Sequence, residues 1–169
     1  MSIWVDLKGP VEAVTIYVDD TLVARDAKVT LPAITPVTAD YKAMGTMTLP
    51  LTGQIESMEF SITKVGIDVG LGRLVEFKQK TIECRWVQNI VDANGISRQE
   101  GCKAFMKAVP KTIPGLSIEQ GSLSENDVTA EVLRYQLFVG GAELWLVDRL
   151  AQILRINGTD YYKTIADLL

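Results

Sequence analysis

The apolar residues of this chain recur at every second position rather than every third or fourth, and that period restricts most of it to extended strands. Met47, Leu49 and Leu51 fall on one side of an extended segment, with Thr46 and Thr48 on the other. Met58, Phe60 and Ile62 alternate in the same way against Ser57, Glu59, Ser61 and Thr63. Thr52-Gly53 separates the two runs, so the pattern predicts a hairpin turning there. In each arm the apolar side is expected to enter a core. The other side is a lawn of small hydroxyls with a single carboxylate.

The same period continues along the chain. Residues 14–18 are dense in strand formers, and Asp19-Asp20 is expected to turn the chain. Residues 28–34 read as a strand whose pairing is limited by Pro32 and Pro36. Residues 66–73 contain Gly70 and Gly72 and read as a short helix or irregular turn. Across residues 75–91 the phase changes: Val75 and Phe77 alternate in one register, Ile82, Cys84 and Trp86 in the other, which predicts a bulge or bend. Asp92 to Gly95 is a turn. Residues 101–109 bury Cys102, Ala104, Met106 and Ala108 if extended, and a strand is favoured over a helix. Residues 110–127 are the longest loop-like stretch. Residues 128–139 form a strand with Leu133, Tyr135, Leu137 and Val139 on one face, followed by a Gly140-Gly141 turn and an antiparallel return over 143–148. Residues 151–156 are a helical turn or a strand. Residues 159–169 read as a short amphipathic helix with Tyr161, Ile165 and Leu168 near one side.

Chemistry is scarce. The chain of 169 residues has no histidine, which removes the commonest general base and a principal zinc ligand. Ser-His-Asp and Cys-His arrangements are impossible within it. Its two cysteines, Cys84 and Cys102, read as buried reduced thiols, although spacing alone leaves a disulfide open. The Gly-Leu-Gly at residues 70–72 lacks the third glycine of a dinucleotide loop. Glu56 with Glu59, and Asp19 with Asp20, read as solvated surface pairs, and Asn157-Gly158-Thr159 as a turn. The formal charge is −4, and no Lys/Arg run marks a nucleic-acid face. No window is apolar enough for a membrane helix. Residues 1–8 lack the basic and apolar regions of a secretory signal, so the protein is expected to stay in a cytoplasm until used. The expectation is a soluble, mostly β, single-domain, non-enzymatic protein with no cofactor and no metal.

Two regions resemble a known family. The first, residues 28–66, contains Val29-Thr30-Leu31-Pro32, Ile34-Thr35, Tyr41-Lys42 and Met58-Glu59-Phe60. The second, residues 132–160, contains Gly141, Glu143 and Leu144, then Asp148, then Asn157-Gly158 and Asp160. In order and spacing they resemble the major tail tube proteins of contractile-tailed bacteriophages and related particles, among them bacteriocins and contractile injection systems. The likeness covers somewhat under half of the chain, and residues 71–128 do not share in it.

That resemblance implies a mainly β, barrel-like or sandwich domain with a small flanking helix. Six copies would form a ring, and rings would stack into a hollow tube inside a contractile sheath. The implied partners are the chain itself, the sheath, the baseplate and the tape measure protein. DNA, or only ions, would pass through the channel without specific binding, and the chain would not insert into a membrane. Thr46, Thr48, Ser57, Glu59, Ser61 and Thr63 are the expected channel-facing residues. Six copies carry a formal charge of −24, six times −4, which would repel phosphates if part of it lined the bore. Residues 1–10 (an N-terminal arm), 110–127 and 159–169 are the expected ring-to-ring contacts, with Trp4 and Trp145 as interface anchors. Two other readings stand beside this one: a type VI secretion tube carrying effectors, and a small-ligand-binding β-barrel of lipocalin type.

Overall fold

The computed structural model describes residues 6–169; Trp4 lies outside them. In chain order the elements are β1 (Leu7–Val18), β2 (Thr21–Arg25), β3 (Lys28–Thr30), β4 (Pro36–Lys42), β5 (Thr46–Ile55), β6 (Glu59–Val65), α1 (Val69–Leu74), β7 (Lys80–Val91), β8 (Ser97–Pro110), β9 (Glu125–Val139), β10 (Ala142–Asp148), β11 (Ile153–Ile156), β12 (Thr159–Asp160) and α2 (Lys163–Ala166). Ten strands form one antiparallel sheet, along the path β12-β11-β10-β9-β8-β7-β1-β2 with β3 and β6 branching from β9. The long β9 makes the branch. Along one edge it pairs with β8; along the other it pairs first with β6 and then with β10.

The sheet wraps one core. Val23 and Ala24 at the β2 end share a cluster with Phe60 and Ile62 of β6 and with Ile16, Met106, Val132 and Tyr135 between them. Alternation puts these side chains inside, and burial at about 25 cal/mol per Å² of apolar area holds the curl. On β9 the buried phase runs Val128, Ala130, Val132 and then shifts to Tyr135 and Leu137. The shift coincides with a register break opposite Lys107/Ala108, so Leu133 is the extra residue of a bulge and is only half-buried.

α1 sits on the end of the sheet. Asp68 caps it, accepting from the Leu71 N–H at 3.0 Å, and Leu71 and Leu74 enter the core. Gly70 allows the approach: a Cβ there would meet the Val23 carbonyl oxygen at 2.8 Å. The buried Lys64 donates to that same carbonyl at 2.7 Å and reaches Asp68 at 3.2 Å, joining β6, β2 and the helix cap.

Several expectations need correction. No hairpin turns at Thr52-Gly53. Both residues lie inside β5, which pairs with β4 in a separate two-stranded ribbon. The ribbon closes at Met44 (φ 51°) and Gly45 (φ 132°), and β6 pairs with β3 and β9 instead. Period two is satisfied by either partner, so alternation alone does not choose one. The strand expected over 28–34 ends at Thr30, ahead of the buried Pro32. The phase change near residue 75 is a bend before β7. The C-terminal helix is one turn, Lys163–Ala166, preceded by the two-residue β12; Tyr161 and Leu168 are exposed and Ile165 is half-buried. Residues 101–109 are a strand as expected, within β8, and residues 151–156 contain the strand β11.

Candidate assembly interface

The β4–β5 ribbon is the least self-sufficient part of the molecule. Every residue from 41 to 50 is exposed. Met47 and Leu49, expected to face a core, are 44% and 46% exposed, and Tyr41 beside them is 46% exposed. An isolated two-stranded ribbon is marginal in water. Thr46 and Thr48 stand on the same ribbon, where Thr48 donates to Asp40 at 2.8 Å across the pair.

The other four expected channel residues gather elsewhere. Glu59, Ser61 and Thr63 lie on the outer face of β6, in register with Glu131, Thr129 and Asp127 of β9. Ser57 precedes the strand and donates to both Glu131 oxygens, at 2.9 and 2.7 Å. Thr63 donates to Asp127 at 2.6 Å, and Thr129 shares a hydrogen bond with Thr112 at 2.8 Å. Glu59 and Glu131 would repel across the ladder. Lys111 lies between them, 2.6 Å from Glu59 and 3.7 Å from Glu131, and Arg149 stands 3.5 Å from Glu131. The six residues therefore form two groups on different sheets. The β6–β9 group is a hydrogen-bonded hydroxyl-carboxylate face whose acids are largely paired.

The motif residues of the second region build turns. Gly140 and Gly141 take φ of 57° and 83°, closing the β9–β10 hairpin. Asn157 and Gly158, at 49° and 83°, close β11 onto β12. Such angles favour glycine and asparagine. Asp148 accepts from the N–H groups of Leu150 and Ala151, and Asp160 from those of Leu154 and Tyr162. Glu143 on β10 receives Arg155 of β11 at 2.7 and 3.1 Å and Gln136 of β9 at 2.7 Å, which ties three strands and holds its carboxyl below the usual range. Leu144 and Leu31 pack against the core, and Pro32 is buried. Trp145 also packs against the core, with its ring 6.1 Å from Tyr135 edge to face.

Cys84 and Cys102 are free and buried, and burial pushes the Cys84 thiol up to about 12. Among the described residues no cluster of His, Cys, Asp or Glu has the arrangement of a metal site.

Among the described residues the sheet ends in unpaired edges at β2, β3 and β12, and a separate ribbon leaves the apolar side chains Tyr41, Met47 and Leu49 nearly half exposed. The chain belongs to the phage tail tube protein FII family, whose model matches residues 10–168. It is a structural tail tube protein and not an enzyme. Comparison with curated proteins returns no match. Two solved structures share the fold. A chain of the PVC sheath–tube complex of an extracellular contractile injection system, in its extended state, aligns with a TM-score of 0.53 at 16% identity, covering 77% of this chain and 90% of that one. A chain of the PVC sheath/tube terminator, also extended, aligns with a TM-score of 0.51 at 15% identity, covering 76% and 95%.

Proposed function

We propose that the protein is the inner-tube subunit of a contractile tail or tail-like injection particle. Six copies close into a ring, rings stack into a hollow tube, and a sheath surrounds the tube. The observation that carries the self-assembly is the β4–β5 ribbon, whose Tyr41, Met47 and Leu49 stay 44–46% exposed among the described residues. The sheath follows from the likeness to chains of a sheath–tube complex. In the assembled tube Ser57, Glu59, Ser61 and Thr63 line the channel, and Thr46 and Thr48 belong to the contact made by the ribbon. Small hydroxyls satisfied by neighbouring carboxylates offer a passing polyanion few free donors, so DNA slides without specific binding. Baseplate and tape measure proteins start the tube and set its length.

A ligand-binding barrel needs an apolar interior space. Ile16, Phe60, Met106 and Tyr135, each at most 1% exposed, fill that interior. Negative-stain electron microscopy of the purified protein over a range of concentrations, with and without baseplates, tests the proposal. Hollow rings or tubes with sixfold end views are expected. Compact monomers under every condition, seeding included, would reject it.

A further inference from the structure

The outer face of the sheet carries a second constellation, assembled from strands far apart in sequence. Register places Arg85 of β7 beside Lys103 of β8, and Lys103 beside Phe138 of β9. Phe105 and Phe138 meet edge to face with ring centres 5.8 Å apart and remain half-buried. They border an apolar hollow of about 680 Å³ that also includes Ala13, Val87 and Lys103. A smaller hollow of about 200 Å³ adjoins it across Phe105 and reaches Lys107. Arg85 pairs with Glu83, whereas Lys103 and Lys107 are exposed and form no ion pair among the described residues. An apolar depression with two free cations beside it calls for an apolar partner that carries carboxylates.

The chain itself presents such a partner. The loop between β8 and β9 exposes Ile113, Leu116, Ile118 and Leu123, with Ile118 and Leu123 at 83% and 80% exposure. Between Pro110 and Glu125 its charged residues are Lys111, which is paired with Glu59, and Glu119; Glu125 opens β9 directly after it. It leaves β8 at Pro110, seven residues beyond Lys103, or roughly 23 Å along the strand. Lys107 stands three residues from Pro110, but Phe138 stands thirteen residues beyond Glu125 on β9, roughly 43 Å along the strand, so the Phe138 end of the hollow lies away from the loop of its own copy, which favours contact between copies over contact within one.

We infer that the β8–β9 loop of one copy docks into the Phe105–Phe138 hollow of the next, with Glu119 and the adjoining Glu125 meeting Lys103 and Lys107. The inference rests on the self-assembly proposed above and names one of its contacts. Two different patches joined head to tail make a heterologous interface, which propagates into a ring or a stack rather than stopping at a dimer.

The test uses tubes assembled from an equal mixture of isotopically light and heavy protein. They are treated with a carbodiimide, which joins amines to carboxylates in direct contact, and the linked peptides are read by mass spectrometry. Peptides joining Lys103 or Lys107 to Glu119 or Glu125 across light and heavy copies are expected; their absence from assembled tubes overturns the inference. In parallel, Lys103→Glu with Lys107→Glu is expected to raise the protein concentration needed for assembly by about tenfold or more, because like charges then face one another. Adding Glu119→Lys with Glu125→Lys is expected to restore assembly. Circular dichroism of each variant confirms that the subunit is folded. Assembly of the double reversal at the ordinary concentration, or loss without rescue, overturns the docking. Failure of the unmodified protein to assemble at all, even when seeded, rejects the tube proposal instead.

Discussion

Phe60 is 1% exposed and sits where β6 faces the rest of the core. Phe60→Ala is expected to cost about 3–5 kcal/mol, from lost burial and the cavity left behind, read from urea denaturation. Titration at single residues predicts an equally specific behaviour. Lys78 and Lys80 hold the Glu76 carboxyl at about 2, Gln88 lowers that of Glu100, and Arg155 lowers that of Glu143, against a starting value of 4.5. A depressed carboxylate stabilises the fold above its unfolded value and loses that contribution as pH falls through the folded one. No histidine is present to titrate in between. The urea midpoint is expected to be flat from about pH 8 to about pH 5.5 and to fall below about pH 4.5. The cysteines were read correctly as buried thiols from composition and phase. With the Cys84 thiol raised to about 12 and both groups enclosed, neither is expected to react with a thiol reagent until the protein unfolds, a result that absorbance during a urea titration would show.

Among the elements, α1 depends on one glycine. The Gly70→Ala Cβ would sit 2.8 Å from the Val23 carbonyl oxygen, a backbone atom that β2 holds in place. We expect Gly70→Ala to destabilise by about 1–3 kcal/mol despite alanine's better helix propensity, measured by thermal or urea unfolding. Sequence reasoning treated that glycine as a weakness in a helix, because the nearness of β2 is a tertiary fact. β8 was legible: Cys102, Ala104, Met106 and Ala108 alternate without interruption and are all buried. β9 was legible in extent but not in phase, since the bulge at Leu133 arises from its pairing with β8. The ribbon was misread. β5 alternates well, but only its far end reaches the core, through Ile55, while Met47 and Leu49 stay exposed, and alternation does not say whose core a face will enter.

For the whole molecule, stability and assembly should separate. Met47→Ser with Leu49→Ser removes side chains that are 44% and 46% exposed and lie outside the core cluster, so the monomer's stability is expected to stay within about 1 kcal/mol of the unmodified protein. The same pair should abolish rings and tubes under the electron microscope. A variant that assembled normally would show that the ribbon's apolar side is not a contact. Of the expected channel residues, Ser57, Glu59, Ser61 and Thr63 were grouped correctly on one face because they share one strand and its approach. Thr46 and Thr48 were joined to them through a hairpin that does not form. The Phe105–Phe138 hollow had no sequence signal, because its lining comes from four strands that meet only through register.

Legible in the chain alone were the period-two strands, the glycine and asparagine turns, the absence of histidine chemistry and the family likeness carried by residues 28–66 and 132–160. These are local properties, set by one residue's dihedral preferences or by its nearest neighbours in the chain. Tertiary structure alone decided which strand pairs with which, where β9 bulges, that the ribbon stands apart from the core, and which cations and rings share a face. Each of these depends on pairing between segments distant in sequence, and the same alternating pattern is compatible with many pairings until one of them closes a core.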